Sequence, residues 1–139
     1  MIVLDTNIIS ELHGRQFADR IFRWLDGRGI ESLCLTTIVV AELRFGLELL
    51  PEGKRRQALA LFLDKVEDEY AGRILQFSLE AAHRFGELVA TRHKHGHSIE
   101  TKDAMIAAIC LSNGAALATR NTKDFAGLDL PLINPFEEL

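Results

Sequence analysis

The chain is predicted to fold as a three-layer α/β/α sandwich around a parallel central sheet. Short aliphatic runs of strand length alternate with longer segments whose apolar residues recur at helical spacing. The strand runs are apolar at consecutive positions, as strands covered on both faces are, and several are followed at once by helix-capping residues. Such alternation calls for right-handed crossovers and places a ligand cleft at the carboxyl ends of the strands.

Ile2-Val3-Leu4 is the first buried strand, and Asp5-Thr6-Asn7 hands it over to a helix. A second helix spans Phe17 to Asp26, with Phe17, Ile21, Phe22, Trp24 and Leu25 near helical spacing, and stops at Gly27-Arg28-Gly29. Leu33-Cys34-Leu35 is the next strand. Thr36-Thr37 caps a helix from Ile38 to Leu50 that carries Glu42 in its second turn and ends at Pro51-Glu52-Gly53. Lys54 to Tyr70 forms a surface helix with Leu59, Phe62, Leu63 and Val66 on one buried face, and Arg73 to Phe77 resumes strand character.

From Leu79 to Lys94 a helical face of Leu79, Ala82, Phe85, Leu88 and Val89 leads into a polar loop, His93 to Ser98. Ala104 to Leu111 is apolar all round and so belongs between other elements; Thr101 and Asp103 stand at its start, where the helix dipole favours an acid, and Asn113-Gly114 ends it. Ala115 to Ala118 and Leu132-Ile133 supply the last strands, separated by a polar stretch, Thr119 to Asp129, with a short helical turn at most. With 139 residues, 47% of them apolar, the chain can bury one substantial core, and a single domain over residues 1–139 is expected.

Cys34 and Cys110 lie inside apolar runs, which suits reduced core thiols and a cytoplasmic home. No basic leader precedes Ile2, and no apolar stretch reaches membrane-spanning length, so no membrane partner is expected. A net charge of −4 argues against coating nucleic acid through bulk basicity. It leaves room for a nuclease whose clustered acids hold cations.

Asp5, Glu42, Asp103, Asn121 and Asp124 all follow strands or open the helices after them, on the carboxyl-end side of the sheet. Carboxylates converging from separate elements repel one another unless a cation intervenes. An acid-rich, histidine-poor set suits Mg²⁺ or Mn²⁺ better than zinc, and the associated chemistry is phosphoryl hydrolysis. Taken singly, each acid also reads as a cap, a solvated helix face or a dipole partner. Periodicity leaves that choice open.

The motifs carry a family resemblance. Ile2-Val3-Leu4-Asp5-Thr6-Asn7-Ile8-Ile9-Ser10-Glu11 closely resembles the opening of PIN-domain toxins of the VapC type, particularly the FitB-like branch. The resemblance continues through Thr36-Thr37-Ile38-Val39-Val40-Ala41-Glu42-Leu43-Arg44-Phe45-Gly46, Asp103-Ala104-Met105-Ile106-Ala107-Ala108 and Leu117-Ala118-Thr119-Arg120-Asn121-Thr122-Lys123-Asp124-Phe125. It implies a Mg²⁺- or Mn²⁺-dependent RNA endonuclease, a type II toxin, normally homodimeric and neutralised by a small antitoxin through which alone it meets operator DNA. On that resemblance Asp5, Glu42 and Asp103 are the three principal acids, with Asp5 and Asp103 on the metal and Glu42 binding it or orienting its water.

Asn121 occupies the fourth position, commonly Asp or Asn, and Asp124 three residues on can restore the missing charge. Thr6 and Thr119 match hydroxyls near the metal's water, or merely satisfy backbone groups at a strand end. Arg120 either contacts substrate phosphate or pairs with the acids. Asn7 reads as a turn or cap residue. The alternative function, kept alive by Asn121, is a PIN-fold protein of little or no catalysis that serves as the partner of a DNA-binding antitoxin in autorepression.

Other signals point elsewhere less strongly. His93, His95 and His97 with Lys94 lack a neighbouring Cys or acid and read as a solvated loop, with RNA guidance a secondary role. Gly53-Lys54-Arg55-Arg56 lacks the glycine pattern of a P-loop. Trp24, Phe22 and Phe17 read as core first and as anchors for an antitoxin second. No serine sits in a nucleophile elbow, and no glycine-rich turn follows the first strand, which removes serine hydrolases and dehydrogenases.

Overall fold

The structure, a computed structural model, describes residues 1–137. Its elements are β1 (Ile2–Leu4), α1 (Thr6–Leu12), α2 (Ala18–Asp26), β2 (Leu33–Thr36), α3 (Thr37–Glu48), α4 (Lys54–Glu69), β3 (Ile74–Leu75), α5 (Leu79–Lys94), α6 (Thr101–Ser112), β4 (Ala116–Ala118) and β5 (Leu132–Ile133). Single 3₁₀ turns cover Ile30–Ser32 and Thr122–Phe125. The five strands form one parallel sheet in the order β3-β2-β1-β4-β5.

Alternate residues of each strand feed opposite faces, as the two-residue pleat period requires. Val3, Cys34 and Leu117 join a core with Val39 of α3, Ala81 and Leu88 of α5 and the apolar run Ala104 to Cys110 of α6. Leu4, Leu33, Leu35 and Ala118 face the other way, onto Ile8 and Ile9 of α1, Ile21 and Trp24 of α2 and Val66 and Tyr70 of α4. Two helical layers thus enclose the sheet, and α6 is buried on nearly every side. Cys34 and Cys110 are free, buried thiols, and burial pushes Cys110 up to about 12.

Element bounds differ from the sequence reading by a few residues. The helix expected from Ile38 starts at Thr37, because Thr36 is the cap: its Oγ1 accepts the Val39 amide at 3.1 Å. The expected strands at Arg73–Phe77 and Ala115–Ala118 shrink to two and three residues at the reach of their partners, and the helix at Ala104 begins at Thr101. Helix α5 continues through Lys94, so His93 is helical. Its buried stripe runs through Ala81 and Leu88; Leu79, expected on that stripe, is 77% exposed. At 100° per residue Leu79 lies about 200° round the axis from Ala81, which turns it outward.

Candidate active site

The strand order reverses at β1, with β2 on one side and β4 on the other, so a crevice opens where β1 and β4 end. Asp5 follows β1 and Thr119 follows β4. Asp5 is buried and caps α1, one carboxylate oxygen accepting the Thr6 amide at 2.8 Å. The other accepts the Thr119 hydroxyl at 2.8 Å and lies 3.4 Å from the Asn7 amide nitrogen. Burial raises the Asp5 pKa, and the Thr119, Thr6 and Asn7 hydrogen bonds oppose that rise while Glu42 adds to it.

Asn7, expected as a turn or cap residue, lies instead in the first turn of α1, which Asp5 caps. Its amide nitrogen also reaches Thr119 Oγ1 at 3.4 Å and its oxygen accepts the Arg120 amide at 3.1 Å, so α1 is laced to the segment after β4. Thr6 performs a second linkage: its hydroxyl donates to Glu42 Oε1 at 3.1 Å, bringing the α3 carboxylate to the end of β1. Glu42 Oε2 meets Lys102 Nζ at 3.4 Å. The sequence reading missed Lys102, although it adjoins Asp103 on the first turn of α6; only the fold shows that this turn faces α3.

Asp103 is half-buried in that first turn. Burial first, then Asp5, Glu100, Asp124 and Glu42 in that order, push its pKa up to about 6. The structure thus brings Asp5, Glu42, Asp103 and Asp124 within electrostatic reach of one another. Asp124 sits exposed on the Thr122–Phe125 turn, held there by Arg92, which donates to its backbone oxygen and to that of Ala126, each at 2.9 Å. Asn121 precedes the turn; its amide N–H donates to Thr119 Oγ1 at 3.0 Å, while its side chain hydrogen-bonds to no described residue.

Arg120 forms no ion pair with the acids among the described residues, and that reading is corrected. Its guanidinium lies instead over the rings of Phe136, 4.5 Å away, and Phe17, 5.5 Å away. Trp24 is buried in the core and so is no exposed anchor, whereas Phe22 is 47% exposed. His93, His95 and His97 are exposed at the end of α5, and His95 Nδ1 bonds to the Thr91 carbonyl of its own helix at 2.8 Å.

Oxygen donors dominate the crevice, and their mutual repulsion is the condition a hard divalent cation relieves. Among the described residues no three His, Cys, Asp or Glu side chains are gathered closely enough to hold a metal ion between them. Mg²⁺, which keeps several waters and needs one or two direct carboxylates, fits such an open set; zinc, which wants a tight nitrogen- and sulfur-rich cage, does not. No helix of the described residues is long and apolar enough to cross a membrane.

Known proteins resemble the chain over nearly its whole length. The chain is 44% identical to a plasmid stability protein, StbB, of Pseudomonas syringae pv. tomato and 43% identical to the VapC ribonuclease Y4jK of Sinorhizobium fredii, each match covering 99% of both chains. It is 37% identical to the toxin FitB of Neisseria gonorrhoeae over 99% of this chain and 100% of that one. A solved structure of FitAB bound to a DNA fragment superposes with a TM-score of 0.93 at 35% identity, covering 100% of this chain and 98% of that one. The PIN domain family model matches residues 2–129, and the chain belongs to the PIN domain family.

Proposed function

We propose that the chain is the toxin of a type II toxin-antitoxin pair, acting as one domain over residues 1–139 to cut RNA with the help of Mg²⁺ or Mn²⁺. The observation that carries the reading is the convergence of Asp5, Glu42, Asp103 and Asp124 on the crevice between β1 and β4, with Asp103 pushed up to about 6 partly by the other three. A relative at 43% identity that bears the name ribonuclease supports the reaction class. The likeness to FitAB, solved bound to a DNA fragment, supports a toxin that meets DNA as part of a complex. A second copy of the chain is the expected assembly, and Phe45 of α3 and Leu49, which caps the end of that helix, are 64% and 68% exposed.

In this reading Asp5 and Asp103 hold the ion. A divalent ion bound there supplies Lewis-acid polarisation of the phosphate and eases deprotonation of water. Thr119 and the Thr6 amide fix both oxygens of Asp5, which leaves that carboxylate a single orientation. Glu42, steered by Thr6, takes the position beside the attacking water, and Lys102 balances its charge. Asp124 completes the acid set in preference to Asn121, because its charge reaches Asp103 whereas the Asn121 side chain brings none. Water adds to phosphorus in line and the 3′-oxygen departs, leaving a 5′-phosphate and a 3′-hydroxyl.

Purified chain, freed of any antitoxin, is to be incubated with a mixed RNA pool in Mg²⁺, Mn²⁺ or EDTA. Cutting in either metal and none in EDTA is the expected result. Folded chain that binds Mg²⁺ yet leaves RNA intact shifts the account to a non-catalytic partner of the antitoxin.

A further inference from the structure

A cavity of about 910 Å³ opens beside the acids, and Thr6 and Glu42 form one part of its wall. Phe17, Arg15, Arg55 and Arg120 also line it, as does the buried Glu11. Its size is at the upper end of what single small ligands occupy, about 300–1,000 Å³. None of those three arginines forms an ion pair among the described residues, although Arg44 and Arg56 of the same fold pair with acids. One cavity thus carries Glu42 of the acid set in its wall and, beside it, three arginines without an ion pair among the described residues.

Arg120 is the most constrained of the three. Its amide is held by Asn7 at 3.1 Å and its guanidinium rests on two rings that stand edge to face, at 88° to one another. Phe17 is itself fixed: the buried Glu11 accepts the Phe17 amide at 2.9 Å at the start of α2. Both rings lie within cation–π reach of the guanidinium, and its side-chain N–H groups donate to no described residue, which leaves them available to a ligand. A planar fork so held is preorganised to grip two oxygens of one phosphate, with little side-chain freedom left to lose.

We propose that Arg120 is a phosphate clamp for the RNA strand, gripping a phosphodiester beside the one that is cut and so setting which bond reaches Asp5 and Asp103. This rests on the ribonuclease reading. Arg15 and Arg55 extend the same track, and a polyanion with regularly repeated phosphates meets successive cations where a single acidic group would meet one.

The test measures binding of a fluorescein-labelled single-stranded oligoribonucleotide in EDTA, where no cutting occurs, to wild type, Arg120→Ala and Arg120→Lys across a salt series. Arg120→Ala is expected to bind about tenfold more weakly, and the slope of log K against log salt is expected to shrink by about 0.7, one phosphate contact on a single strand. Arg120→Lys is expected to restore the slope but only part of the affinity, because a point charge replaces the fork. Unchanged affinity and slope in Arg120→Ala, full recovery by lysine, or a wild type that binds no RNA would each overturn the clamp. The ribonuclease reading stands or falls separately, on whether wild type cuts RNA in Mg²⁺ or Mn²⁺.

Discussion

Asp5 and Thr119 show how single residues set the site. Burial works against the Asp5 charge while three hydrogen bonds favour it, and the shortest of the side-chain bonds comes from a threonine that is itself fully buried. Thr119→Val keeps the shape and leaves a buried carboxylate oxygen short of its donor, so it is expected to lower stability by about 1–3 kcal/mol and weaken Mg²⁺ binding; Thr119→Ser is expected to restore both, as read by denaturant unfolding and calorimetry. Asp103 contributes a pH dependence of defined sign. Its pKa moves from 3.8 to about 6 on folding, so without metal the folded chain keeps a proton that the unfolded chain has released. This group therefore favours the folded state at low pH, and its contribution is lost as the pH rises from about 4 through about 6. In EDTA, Asp103→Asn is expected to melt higher than wild type at pH 7, with the difference closing by pH 4; a difference independent of pH would contradict the assigned burial and repulsion of this carboxyl.

Whole elements are held in register by a few polar ties. Arg92 near the end of α5 donates to the carbonyls of Ser98, Asp124 and Ala126, so one guanidinium gathers the loop that leads into α6 and the turn that carries Asp124. Arg92→Ala is expected to reduce Mg²⁺ affinity about 10- to 100-fold, the range for residues that orient metal ligands, with a smaller effect on melting temperature; an unchanged affinity would detach Arg92 from the site. Thr36→Ala removes the α3 cap and is expected to lower stability by about 1 kcal/mol in denaturant titration. The elements themselves were legible because Ile2-Val3-Leu4 and Ala104 to Leu111 are apolar enough to be placed without a neighbour. Strand ends were less so, since Ile74–Leu75 is as long as its pairing with Leu35 and Thr36 allows, a property of the partner. Leu79 was misplaced because it is apolar, although its place in the helical period turns it away from Ala81 and Leu88.

For the whole molecule, the order β3-β2-β1-β4-β5 turns a scattered set of acids into one crevice. Asp5, Glu42 and Asp103 lie 37 and 61 positions apart along the chain, and their motifs pointed to a shared site before any contact was visible. Lys102 and the double linkage by Asn7 were not legible, because each depends on which helix ends face one another across the crevice. Arg120 was left between substrate and acid pairing by its neighbours in sequence, and the remote Phe136 beside it decides against the acids. The central claim is that this crevice cuts RNA through its acids. The most direct measurement is the single-turnover cleavage rate of one identified RNA bond in Mg²⁺, by wild type and by Asp5→Asn at equal folded concentration. The account predicts a loss of at least about 100-fold in the variant, beyond what altered positioning of a metal ligand produces; cleavage by Asp5→Asn at the wild-type rate would contradict it.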